Sequence, residues 1–72
     1  MTRHYNAFMM QSHDIRTLRT SLRESQEAFA YRLGVTASTV SRWELGKKLP
    51  GKLSRLRLLT IRRHTARQAA RQ

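Results

Sequence analysis

The positions of Gly34, Gly46 and the single proline, Pro50, constrain this chain most, because helical apolar spacing between them is cut to two or three turns. Short helices that cannot extend must bury their apolar faces on one another. Ahead of these breaks, Ile15, Leu18 and Leu22 recur at three and four and predict an amphipathic helix over about 13–23, capped by Ser12 or Asp14. Ser25 then caps Gln26–Leu33, where Phe29, Ala30 and Leu33 share a face and Gly34 ends the helix. Thr36 caps a third helix, Ala37–Leu45, with Gly46 as its stop. In that helix Val40 and Trp43 point inward while Ala37, Ser38, Ser41, Arg42 and Leu45 fan outward. A fourth begins near Gly51, with Leu53, Leu56, Leu59 and Ile61 as its apolar stripe and Leu58 at the edge. The expectation is an all-α fold of four or five helices and no strand.

From His64 onward the apolar periodicity fails apart from alanines, so a frayed extension of the last helix and a disordered basic arm both stay open. The chain thus divides into an N-terminal segment 1–12, for which disorder is allowed, a folded unit 13–63 and a basic C-terminal segment 64–72.

A chain of 72 residues without cysteine has room for one modest core and no disulfide or thiolate metal site. Domains of this size bury only about 60% of their unfolded surface, which makes self-association, in the simplest case a homodimer, an expectation. No run of about 18 apolar residues and no signal-peptide pattern occurs, so the chain reads as soluble and cytoplasmic, in keeping with its lack of cysteine.

Charge narrows the partners. Fifteen Lys and Arg against four Asp and Glu give a formal charge of +11. Residues 1–44 hold six basic and four acidic side chains; residues 45–72 hold nine basic and none acidic. A stretch of one sign repels itself and gains most when counter-charge arrives, so a polyanion is the expected partner, nucleic acid before anionic membrane. Membrane binding is set aside because the last helix needs its apolar face to close so small a core.

The segment Gln26–Pro50, QEAFAYRLGVTASTVSRWELGKKLP, reads as two helices joined by a tight turn at Gly34, Val35 and Thr36, the pattern of a helix-turn-helix. Ser25, Gln26, Phe29, Ala30, Leu33, Gly34, Val35, Thr39, Val40, Ser41, Trp43, Glu44, Gly46 and Pro50 resemble the Xre/Cro-type repressor family. The resemblance spans about Ile15 to Ile61 and implies a compact, lambda-repressor-like DNA-binding domain, usually dimeric, that represses transcription at short inverted repeats. One departure stands out: Arg23 and Glu24 precede the Ser-Gln pair where the family commonly has glycine and an apolar residue, which leaves a longer or differently angled first helix open.

Carried over residue by residue, the resemblance implies roles that the side chains suit chemically. Ala37, Ser38 and Arg42 match base-reading positions: Ala can meet a thymine methyl, Ser can donate or accept, and Arg can fork onto guanine. Ser41 is a fourth, weaker reader. Gln26 matches a phosphate-gripping position at a helix N-terminus, where free N–H groups and the dipole attract anions. Thr39, Lys47, Lys48 and Lys52 are expected on phosphate, where ammonium groups act as point charges. Arg19 and Glu44 match a structural ion pair tying the first helix to the end of the recognition helix. Trp43, by its spacing from Val40, belongs to the core.

Catalysis finds little support: His4, His13 and His64 are scattered, no metal-ligand spacing or Gly-rich phosphate loop occurs, and no cofactor is expected. The expected partner is double-stranded DNA. A second reading is an antitoxin-like or adaptor protein that also binds a protein such as a toxin or polymerase.

Overall fold

The structure, a computed structural model, describes residues 10–70, and the expectations for residues 1–9 and 71–72 lie outside it. The described residues form an all-α fold of four helices: α1 (Ser12–Ser21), α2 (Gln26–Leu33), α3 (Ala37–Glu44) and α4 (Lys52–Ala70). None of them is long and apolar enough to cross a membrane. The N-cap of α1 is Gln11, one residue before the expected Ser12; Asp14 sits inside the first turn and accepts the Gln11 backbone N–H at 3.0 Å. The Ser25 hydroxyl accepts from Ala28 N–H at 3.0 Å and that of Thr36 from Thr39 N–H at 3.1 Å, so the two helices of the helix-turn-helix start at their expected caps. The third helix ends at Glu44, with Leu45 as its C-cap.

The core is built from Met10, Ile15, Leu18, Phe29, Ala30, Leu33, Val40, Trp43, Leu58 and Leu59. It therefore reaches back to Met10, ahead of the expected start at residue 13, and α4 continues past His64 without a break to Ala70. Within α4 the inward face differs from the expected stripe. Leu58 is fully buried, Leu59 is 5% exposed, and Leu53 and Leu56 are 60% and 44% exposed. Leu58, Ile61, Arg62 and Thr65 follow the i, i+3, i+4, i+7 rule, and this stripe, with Leu59 beside it, is the one turned toward the core. Leu53 and Leu56 lie on the opposite, outer side.

Two left-handed residues close α1 and α2. Gly34 has φ 74° at the end of α2, a conformation that costs glycine nothing. Its place is also crowded: Arg57 of α4 reaches over it, its Nη1 donating to the Leu33 carbonyl at 2.8 Å, and a Cβ on Gly34 would lie 3.1 Å from that nitrogen. The end of α2 is thus capped from α4. After α1, Arg23 takes φ 58°. Because Arg23 adopts a left-handed conformation that favours glycine, α1 stops at Ser21, and a longer first helix is not formed. A side chain in that region is strained by roughly 1–2 kcal/mol, part of which glycine returns through its freer unfolded chain. Arg23→Gly should therefore stabilise the domain by about 0.5–1 kcal/mol. Thermal melts would check this, and a lower Tm would contradict it.

Candidate nucleic-acid interface

The orientation of α3 is set by one buried carboxylate at its C-terminal end. Glu44, with its side chain 1% exposed, receives a two-pronged contact from Arg19 of α1: Nε donates to Oε2 at 2.6 Å and Nη2 to Oε1 at 3.0 Å. Gln26, the first residue of α2, donates its Nε2 to Oε1 at 3.1 Å, and Arg16 Nε stands 3.6 Å from the same oxygen. Arg19 Nη1 also donates to the Glu24 carbonyl at 2.9 Å, holding the α1–α2 connection. Three helices therefore meet on one side chain.

Burial alone would raise the Glu44 carboxyl, but the hydrogen bonds from Arg19 and Gln26 and the charges of Arg19 and Arg16 outweigh it and hold the group below the ordinary carboxylate range. Glu24 is lowered chiefly by its hydrogen bond from Arg32, whose guanidinium clasps both carboxylate oxygens. Both carboxylates are thus engaged inside the fold.

On α3, Ser38 and Arg42 are exposed, one turn apart on the same face. Ser41 and Ala37 are half-buried, and Ala37 packs against the core, so the outward fan is narrower than the periodicity predicts. Thr39 is half-buried and its hydroxyl lies 2.9 Å from that of Thr36, inside the cap. Lys47, Lys48 and Lys52 are exposed along the loop and first turn that follow α3. Gln26 is half-buried; its amide nitrogen spends one hydrogen on Glu44 and keeps a second. Trp43 is 2% exposed and belongs to the core; its indole N–H has no hydrogen-bond partner among the described residues.

The structure brings Arg19, Gln26 and Glu44 together, gathers Ser38 and Arg42 on one helix face, and leaves the lysines on the loop beside it. Two contributors escaped the sequence reading. Arg16 stands three residues before Arg19 and so shares its helical face, a signal present in the spacing. Arg57 caps α2 across 24 residues of chain, and nothing local marks that contact.

A family model, that of the RsaL-like HTH domain, matches residues 16–60. This span covers all of the helix-turn-helix, the lysine-bearing loop and the buried half of α4. No curated protein and no solved structure is significantly similar to the chain.

Proposed function

We propose that this chain, which belongs to the RsaL-like HTH domain family, is a sequence-specific duplex-DNA-binding repressor that acts in the cytoplasm as a homodimer on a short inverted repeat. Family membership carries DNA binding and transcription regulation; the finer reading is ours. The observation that favours it most is the pairing of an exposed Ser38–Arg42 face with a buried Glu44 that locks the same helix against α1 and α2. A reading helix has to present its side chains at a fixed angle to the groove, and this hub supplies the fixing. The Xre/Cro likeness of Ser25–Pro50 supports repression, and a domain this small reads only a few base pairs, which favours two copies on half-sites about 34 Å apart.

In this reading Arg42 forks onto a guanine edge and Ser38 and Ser41 make shorter base contacts, while Ala37, packed against the core, leaves only its outer edge for a thymine methyl. The first turn of α2 with Gln26, together with Thr39, Lys47, Lys48 and Lys52, holds the phosphates. Selection of bound duplexes from a random pool would reveal the site, and a motif without two-fold symmetry would sink the dimer. Arg42→Ala should then weaken binding to the selected site by about 1–3 kcal/mol and relax one base position. Equal losses on selected and random duplexes would instead assign Arg42 to phosphate.

A further inference from the structure

A cavity of about 350 Å³ opens where the residues leading into α1, the C-terminal end of α3 and the start of α4 come together. Among the described residues its apolar walls are Met10, Trp43, Leu49 and Pro50, and its only charged side chains are two cations, Lys48 and Arg55. Met10, Trp43 and Pro50 are buried, so those walls are packed from behind; Leu49, 74% exposed, and Lys48 face outward. Arg55 is half-buried, and its Nη1 donates to the Pro50 carbonyl at 3.5 Å, which leaves its other N–H groups without a partner among the described residues. Apolar walls with a few polar groups placed among them are what a small-molecule site requires, and here both charges have the sign that selects an anion.

We propose that this cavity binds a small carboxylate with an apolar body, and that filling it loosens the grip on DNA. The apolar body lies against Met10, Trp43, Leu49 and Pro50, while the carboxylate meets Lys48 and the planar fork of Arg55, which suits two oxygens at once. Ligand cavities run from about 300 to 1,000 Å³, so this one, near the lower end, takes a short chain. The effect on DNA rests on the reading above, in which Lys48 also holds a phosphate. An ammonium paired with a bound carboxylate has less charge to offer DNA, so the two ligands oppose one another, each weakening the other by the same factor.

Trp43, the single tryptophan of the chain, reports on occupancy through its fluorescence. Titration of the full chain with sodium octanoate at constant ionic strength should give a saturable change. Affinity should rise about fourfold with each methylene from hexanoate to octanoate. Octan-1-ol, which has the chain without the charge, should bind about tenfold more weakly or worse. Arg55→Gln should weaken octanoate about fivefold or more and leave DNA affinity in its absence within about twofold. Leu49→Ser, at an exposed position, should do the same by removing part of the apolar wall. Saturating octanoate should lower affinity for a duplex selected from a random pool about fivefold at 0.15 M salt and flatten the salt slope by about 0.9, the share of one phosphate contact.

No response of Trp43 to octanoate at about 10 mM, or octanol binding as tightly as octanoate, would overturn the site. A Trp43 signal that follows protein concentration and ignores octanoate would give the cavity to a second copy of the chain and overturn it as well. Octanoate binding with unchanged affinity for the selected duplex would overturn the opposition between the two ligands. Failure of the chain to prefer any selected duplex over random DNA would overturn the DNA reading, while the octanoate titration would still decide whether the cavity takes a carboxylate.

Discussion

Glu44→Ala should unfold much of the domain at room temperature. The substitution removes a 1% exposed carboxylate and leaves Arg19, only 17% exposed, without its partner, a loss of about 3–5 kcal/mol for a broken buried pair. A core of this size rarely supplies more than about 3–5 kcal/mol in total, so the cost is comparable with the whole stability. Urea titration followed by circular dichroism would measure it. Glu44→Gln, which keeps an acceptor and drops the charge, should lose less. A Glu44→Ala variant within about 0.5 kcal/mol of the parent, the range of ordinary surface changes, would show that the hub orients α3 without stabilising it. The same carboxylate gives the parent an acid limit. Because Glu44 and Glu24 are both lowered from 4.5, their contributions are fully present above that pH and fade as pH falls through the depressed folded values. Stability should therefore be level near neutrality as far as these two groups set it and decline below about pH 4.5, with a shallower decline in Glu44→Gln.

Neutralising Lys47, Lys48 and Lys52 together should weaken DNA binding about 100-fold at 0.15 M salt, on selected and random duplexes alike. Each phosphate contact adds about 0.9 to the slope of log affinity against log salt, so three should flatten it by about 2.7. All three side chains are exposed, and their loss should leave the melting temperature near that of the parent. The selected motif should not change, because point charges on phosphate position the protein without reading bases. An unchanged slope would remove this loop from the interface. A changed motif would mean that one of the lysines reaches a base edge.

Much of this architecture is legible in the sequence where the physics is local. Ser25, Gly34 and Thr36 act on their immediate neighbours, and the structure puts the helix boundaries beside them. The face of α4 was not legible in the same way. Between Leu53 and Ile61 five apolar residues, Leu53, Leu56, Leu58, Leu59 and Ile61, allow more than one stripe at helical spacing, and only packing against the other helices decides among them. The start of α1 was ambiguous for a related reason, since Gln11, Ser12 and Asp14 all bear side chains that can serve a helix end. At the candidate interface the residue types were legible on α3, but its outward width was not, because Ala37 is small enough to pack inward. The joining of Gln26 to Glu44 depends on how three helices converge, which no spacing within one helix encodes.

The bond from Arg57 to the Leu33 carbonyl fastens α4 to the end of α2, next to the turn that leads into α3. In the proposed homodimer, that fastening helps to hold each reading helix at one angle to the body of its copy, so the rotation between the two reading helices is set as well as the distance between them. A duplex of 10–10.5 base pairs per turn rotates by about 34–36° with each pair. One inserted pair between the half-sites would displace the second target by only about 3.4 Å along the axis and would also swing it around the cylinder by that angle. Five inserted pairs would carry it to the far side. An operator read in this way has a phase, and affinity should depend on the length of its spacer even where no side chain touches the spacer's bases.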